Sequence, residues 1–258
     1  MTSDPMYRRY ADLLARVILN LPYIDAEAVR PRDQPKLAKR SKQSLREHGQ
    51  DWPTVAVTMA GLKRLDSLRE CVDTVVSDAI PGDIIETGVW RGGSMIYARM
   101  LLDVLGEAAR GVWLADSFAG LPAPDGRYAA DAGNTLHARS DLAVSRAEVE
   151  GNFCRFGLDP TVGVRFLVGW FKDTLPLIDG GTRFAIIRLD GDMYGSTMDA
   201  LQNLYPKLSP GGFCIIDDWG ASSECRAAVK DYFGAESCTD IEAGMVFIDW
   251  TCVLWRKR

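Results

Sequence analysis

An α/β fold built on a doubly wound, mostly parallel sheet is predicted by three observations. Five short apolar runs each have the length of a strand: "DIIETG" (83–88), "GVWLADS" (111–117), "VRFLVG" (164–169), "FAIIRLD" (184–190) and "GFCIIDD" (212–218). Helix-compatible stretches lie between and after them, at 92–105, 143–156, 171–177, 196–206 and 223–233. The runs are nearly continuous rather than alternating, as in parallel strands covered on both faces. A last stretch, "TDIEAGMVFIDWTCVLW" (239–255), has a glycine turn between two β-prone runs and no helix, which predicts an antiparallel hairpin.

Upstream of Pro81 the pattern is helical. Asp4-Pro5 supplies a capping side chain and then a proline in the first turn, and Tyr10, Leu13, Leu14 and Val17 give that helix one buried face. A second long helix is predicted from Thr54 to about Asp78, with Val55, Met59, Leu62, Leu65 and Leu68 on one side. Between the two, residues 24–52 are polar, proline-punctuated and long for a connection in a compact domain, which reads as a lid. Residues 1–80 are therefore expected to form N-terminal helices and a lid within the same domain as a core spanning 81–258.

Composition removes several function classes. With 258 residues, 47% hydrophobic and 25% charged, the chain is ordinary for a globular protein with a sizeable core. A net charge of −5 gives no footprint for nucleic acid, and the local basic run at 30–42 reads as a solvated loop. No stretch reaches the ~20 apolar residues of a membrane span, and the N-terminus lacks the order of a signal peptide. The six cysteines have no paired spacing and read as reduced thiols, which predicts a cytoplasmic protein. Two histidines, His48 and His137, are too few for the usual zinc site.

Chemistry concentrates after the strands. The first ends in "ETGVWRGGS" (86–94), whose Gly88-x-x-x-Gly92-Gly93 spacing is neither a dinucleotide fingerprint nor a phosphate loop. Glu86 would repel a pyrophosphate but suits an amino group or a sulfonium. Asp116, followed by Ser117, ends the second strand, where an acid accepts hydrogen bonds from ribose hydroxyls. An acid, a glycine turn and a second acid together point to S-adenosylmethionine. Asp190 and Asp192 follow the fourth run, and Asp217 and Asp218 the fifth, all at the carboxyl edge of the sheet. Carboxylates so close cannot all stay ionised without a cation, and short oxygen ligands favour Mg²⁺ or Ca²⁺. A metal beside a sulfonium donor suggests O-methylation, with a carboxylate or histidine taking the acceptor proton. Asp199 and Asp249 receive no role, and Trp219 either lines the acceptor site or packs.

Long motifs carry a resemblance. "DWPTVAVTMAGLKRLDSL" (51–68), "ETGVWRGG", "ADSFAGLP" (115–122), "GWFKDTLP" (169–176), "RLDGDMYGSTMDAL" (188–201) and "LSPGGFCIIDDW" (208–219) closely resemble the macrocin O-methyltransferase family, from about residue 6 to the C-terminus. The resemblance implies a Rossmann-like class I methyltransferase that uses a metal to methylate deoxysugar hydroxyls on antibiotics. By the same likeness Asp190, Asp217 and Asp218 are metal ligands, and Asp192 is the general base, with His137 the remaining candidate. Glu86, Thr87, Gly88, Val89, Trp90, Arg91, Gly92, Gly93, Ser94, Asp116 and Ser117 match the donor site. Gly169, Trp170 and Phe171 should lie near the adenine. Thr58 and Met59 fall in the segment closing over donor and acceptor, and 24–52 would be the lid, a long polar stretch without its own core. The implied partners are S-adenosylmethionine, Mg²⁺ and a glycoside acceptor, in a homo-oligomer (dimer or tetramer) with no nucleic acid or membrane. A metal-dependent catechol or phenol methyltransferase, or a silent donor-binding module, are the other readings; retention of all four acids argues against the module.

Overall fold

Asp4 caps the first helix with its own side chain, which accepts from Met6 N at 2.8 Å, and the helix α1 runs over Pro5–Ile18. The computed structural model from which this geometry comes describes residues 4–32, 37 and 39–258, with the side chains of 235–238 excepted. After α1 come a 3₁₀ turn (Leu21–Ala26), β1 (Arg30–Pro31), α2 (Lys42–Glu47), β2 (Asp51–Trp52) and α3 (Leu62–Ser77). The core then alternates as β3 (Asp83–Thr87), α4 (Gly93–Val104), β4 (Val112–Asp116), α5 (Arg146–Arg155), β5 (Val164–Val168), α6 (Phe171–Thr174), β6 (Phe184–Leu189), α7 (Tyr194–Leu204) and β7 (Leu208–Ile216). It ends with α8 (Ser223–Gly244), β8 (Val246–Phe247) and β9 (Val253–Arg256).

The five strands expected from the apolar runs all form. The sheet order is β5-β4-β3-β6-β7-β9-β8, parallel from β5 through β7, with β9 antiparallel to both of its neighbours. The strand order reverses between β3 and β6, with β4 and β5 added on one side and β6 and β7 on the other, so the crevice at their carboxyl ends is where such a sheet takes a ligand. One face of the sheet is covered by α1, α3 and α4, whose Leu14, Ile18, Leu65, Val72 and Leu101 share a buried cluster with Ile84, Leu114 and Ile186. The other face packs on α7 and α8 through Ile85, Ile187, Leu201 and Val229. Trp219 is buried in that second cluster, which settles it as a packing residue.

Four sequence expectations are corrected. The buried face of α1 is Tyr7, Ala11, Leu14, Ala15 and Ile18, while Leu13 and Val17 are 60% and 44% exposed. Small Ala11 and Ala15 let α3 and α4 approach closely, so the wider stripe turns outward. The second helix starts at Leu62 and not Thr54. Residues 54–61 are extended because their backbone is used elsewhere: Glu27 Oε1 accepts from Thr54 N and Val55 N at 2.7 and 2.8 Å, and Gly93 N donates to Val57 O at 3.0 Å. The hairpin is shorter than 239–255, since 239–244 continue α8 past a kink at Gly234 and only 246–256 form the strands.

The fourth correction concerns residues 24–52, which do have a core, and it is ionic. Arg46, Glu27 and Asp51 are buried, and the guanidinium bonds Glu27 Oε1 at 2.9 Å, Asp51 Oδ2 at 2.8 Å and Leu19 O at 2.8 Å. Residues 33–36 and 38 of the expected lid and of the basic run lie outside the described residues. Cys71, Cys154, Cys214, Cys225 and Cys252 are free thiols, and the Cys238 side chain lies outside the described set. Among the described residues, no helix is long and apolar enough to cross a membrane.

Candidate active site

The strand ladders continue one residue past the strand ends and line up the site. Gly88 N donates to Ala115 O, Asp190 N to Thr87 O and Asp217 N to Leu189 O, each at 2.9 Å. Gly88, Asp190 and Asp217 therefore meet at the carboxyl edge, at the switch between β3 and β6. Gly88 has φ +80, and a Cβ there would overlap the Asp190 carbonyl oxygen. A Cβ on Gly93 would come within 2.5 Å of Val57 O. These glycines thus let two other backbone segments cross the turn. Gly88→Ala is expected to cost at least about 2 kcal/mol, from the left-handed φ and the displaced Asp190. Urea denaturation with a parallel rate assay reads this, and an unchanged midpoint contradicts it.

Two connected cavities open at this edge. The larger, of about 250 Å³, is lined by Asp116, Ser117, Trp170 and Phe171, among others. The smaller, of about 80 Å³, is lined by Arg32, Thr58, Arg64, Glu86, Asp217 and Asp218, among others. Met59, Gly88, Trp90, Asp190 and Asp192 border both.

The four aspartates converge as expected. Asp190, Asp217 and Asp218 offer oxygens that all lie within 4.8 Å of one another. Arg188 donates to Asp217, to Glu86 and, at 2.8 Å, to Asp190 Oδ2. Arg64 Nη1 donates to Asp217 Oδ2 at 2.7 Å. Burial raises the Asp217 carboxyl, but Arg188, Arg64 and Arg32 outweigh it and the net shift is downward. Asp218 has no arginine hydrogen bond among the described residues, and only the longer-range charge of Arg32 acts in its favour. It accepts Asp192 N at 3.1 Å, and burial together with Asp192, Asp190 and Asp217 pushes its pKa far up. With no arginine donating to this acid among the described residues, an oxygen-liganded divalent ion fits the three-acid set.

Asp192 sits at the junction of the cavities with φ +57, a strained value for an aspartate. Its backbone is fixed on both sides, by Asp218 Oδ2 and by Ser222 Oγ, which donates to Asp192 O at 2.6 Å. Its carboxylate has no hydrogen-bond partner among the described residues. Burial first, then Asp190, raises its pKa to about 7.

Several residues differ from their sequence reading. The Asp116 carboxylate accepts Val89 N and Phe118 N, both at 2.8 Å, so it braces the glycine turn as well as bordering the larger cavity. Glu86 is buried against Arg188, and among the described residues its Oε2 has no partner. Burial raises its pKa to about 8, with Arg188 opposing. Val89 and Ser94 border the smaller cavity, whereas Thr87, Arg91, Gly92, Gly93 and Gly169 border neither. Arg91 donates instead to Ala56 O at 3.0 Å, which ties the turn to the extended segment. His137 is exposed and borders neither cavity. Arg188, Arg64, Arg32, Trp52 and Trp250 were not singled out from sequence. A charge inside the buried run "FAIIRLD" was the available signal for Arg188. Asp199 and Asp249, left without a role, pair with Arg127 and Arg64.

Comparison with known proteins gives the same picture. The family model described as macrocin O-methyltransferase (TylF) matches residues 7–257. The 8-demethyl-8-(2,3-dimethoxy-alpha-L-rhamnosyl)-tetracenomycin-C 4'-O-methyltransferase of Streptomyces olivaceus is 49% identical over 96% of this chain and 92% of its own. The mycinamicin III 3''-O-methyltransferase of Micromonospora griseorubida is 45% identical over 96% of both. The solved structure of the O-methyltransferase NovP superposes with a TM-score of 0.86 at 41% identity, covering 97% of this chain and 99% of that one. Site geometry, sheet order and these likenesses agree: the fold is that of a Rossmann-like methyltransferase, and the chain is an O-methyltransferase of the macrocin O-methyltransferase family.

Proposed function

We propose that this enzyme moves the methyl group of S-adenosylmethionine to a deoxysugar hydroxyl of a glycosylated natural product, with Mg²⁺ held by Asp190, Asp217 and Asp218. The observation that carries this is a three-acid cluster with surplus negative charge beside a cavity braced by a glycine turn. Relatives at 49% and 45% identity are named for methylation of a rhamnosyl tetracenomycin and of mycinamicin III, which supports a sugar acceptor in antibiotic biosynthesis. When bound, the donor would supply an electrophilic methyl group, and a cation held by Asp190, Asp217 and Asp218 would polarise the acceptor hydroxyl.

This chain's residues supply the rest. Trp170 and Phe171 offer the aromatic wall for an adenine, and Asp116 and Ser117 the polar end for a ribose. Glu86 Oε2 is the free acceptor for an amino group. Thr58 and Met59 close over the junction from the extended segment. Asp192 takes the acceptor proton: its carboxylate borders both cavities and accepts no hydrogen bond among the described residues, and its pKa is raised to about 7. His137 is exposed and borders neither cavity, which favours Asp192 as the base. The free thiols suit a reducing cytoplasm, and we extend the reading to a homo-oligomer, dimer or tetramer.

The test is transfer of labelled methyl to a panel of rhamnosides and catechols with Mg²⁺ and then with chelator. Chelator-sensitive labelling of glycosides is expected. Labelling of catechols alone replaces the acceptor assignment, and full activity in chelator removes the metal.

A further inference from the structure

The turn that joins β6 to α7, residues 190–193, carries both Asp190 and Asp192. Its upstream end is tied to the sheet, where Asp190 N donates to Thr87 O at 2.9 Å. Asp192 holds φ +57, a conformation that persists only where the surroundings impose it. Downstream, Met193 is the N-cap of α7 and has no side-chain oxygen to cap it with. The first amides of that helix are met from 63 residues away: Asp131 Oδ1 accepts Tyr194 N and Asp131 Oδ2 accepts Gly195 N, both at 2.8 Å. Asp131 ends a 3₁₀ turn (Ala129–Asp131) in the long loop after β4 and is buried. The segment that brings it there lies along α7. Arg127 donates to both Asp199 oxygens, at 2.9 and 2.8 Å, and the Tyr128 and Tyr194 rings pack with centroids 4.9 Å apart. A Cβ on Gly195 would stand 3.0 Å from Asp131 Oδ2 and 3.2 Å from Tyr128 Cδ2, so glycine there leaves both their places. Of these contacts, that of Asp131 is the one adjoining the turn.

A carboxylate on those amides makes charge-assisted bonds and meets the positive end of the helix. Without it the start of α7 frays, and the left-handed Asp192 is free to relax. Resting on the reading of Asp192 as the base, we infer that Asp131 is its positioning residue. It fixes the first turn of α7 and so holds the Asp192 carboxylate at the junction of the two cavities. Asp131 itself touches no reacting atom. Asp190 is tied to β3 through Thr87, so the acid cluster keeps its geometry when Asp131 is lost. The Asp192 backbone also keeps its bonds to Asp218 and Ser222, which makes the loss graded and not complete.

The experiment compares Asp131→Ala, Asp131→Asn, Asp192→Asn and the double variant Asp131→Ala/Asp192→Asn in the full chain with Mg²⁺. The acceptor is phenyl α-L-rhamnoside, or catechol if the labelling panel marks only that. Asp131→Ala is expected to lower kcat about 30-fold, with acceptor KM and S-adenosylhomocysteine Kd changed less than about threefold. Asp131→Asn keeps an acceptor for one amide but turns a donor to the other, and should lose about tenfold. In the Asp192→Asn background, itself slowed about 10³-fold, Asp131→Ala should cost less than about threefold more. Hydrogen exchange at the Tyr194 and Gly195 amides should quicken at least about tenfold in Asp131→Ala, a readout that needs no turnover. If Asp131→Ala does not fold, Asp131→Asn carries the same comparison in both backgrounds. An equal loss in both backgrounds, or a fall in Mn²⁺ affinity that matches the fall in rate, overturns the positioning role while Asp192 stays the base. Unchanged kcat or unchanged exchange overturns it too. A fully active Asp192→Asn overturns the base reading and the role of Asp131 with it.

Discussion

Asp218→Asn is expected to lower turnover about 10³-fold while donor affinity changes less than about threefold. The size follows from losing the one acid of the cluster that accepts from no arginine among the described residues, and with it the strongest reason for a cation to bind. The adenine and ribose contacts, Trp170, Phe171, Asp116 and Ser117, lie in the other cavity, so they are spared. A second readout separates this from simple damage. Without metal, the variant loses a buried carboxylate whose ionised form burial and three neighbouring acids all oppose, so its melting temperature should match or exceed that of the wild type. With Mg²⁺ only the wild type should gain stability, because a ligand that binds the native state raises its unfolding free energy. Equal stabilisation of both proteins by Mg²⁺ would count against the assignment.

Arg46→Ala should destabilise the fold by about 3–5 kcal/mol, since it strands two buried carboxylates. In a protein of this size that lowers the melting temperature by roughly 10 °C. The loss travels further than one pair. Glu27 also holds Asn20 Nδ2 at 2.9 Å and the Thr54 and Val55 amides, so it joins the end of α1, α2 and the segment that carries Thr58 and Met59. Freed of Arg46, Glu27 no longer fixes that segment over the cavities. Urea titration and limited proteolysis after residues 30–60 would read both effects. A change below about 1 kcal/mol would mean that the ionic core is solvated and the network idle.

The core sheet was legible because each parallel strand is a continuous apolar run ended by glycine or acid, and sheet topology puts every such end on one edge. That reasoning brought Asp190, Asp192, Asp217 and Asp218 to one edge without any structure, and the resemblance singled out three of them as ligands. What failed had a common cause, tertiary partners that local pattern does not contain. Val55 and Met59 sit at helical spacing, yet Glu27 and Gly93 claim the backbone around them. Residues 24–52 looked coreless because their core is made of charges, paired across 19 and 5 positions in the chain. Tyr7 and Ile18 were passed over for Leu13 and Val17, since the sequence of α1 carries apolar residues on two faces and only packing chooses. The arginines of the site were missed for a related reason: an arginine in a sequence reads as surface until its acids are placed around it.

A Mn²⁺ titration followed by electron paramagnetic resonance addresses the central claim most directly, that Asp190, Asp217 and Asp218 form a cation site at the mouth of the donor cavity. Mn²⁺ takes the same oxygen ligands as Mg²⁺ and is seen without turnover. The account predicts one site per chain, displaced by Mg²⁺ and lost in Asp218→Asn. Full Mn²⁺ occupancy in Asp218→Asn, or no bound Mn²⁺ in the wild type, would contradict it.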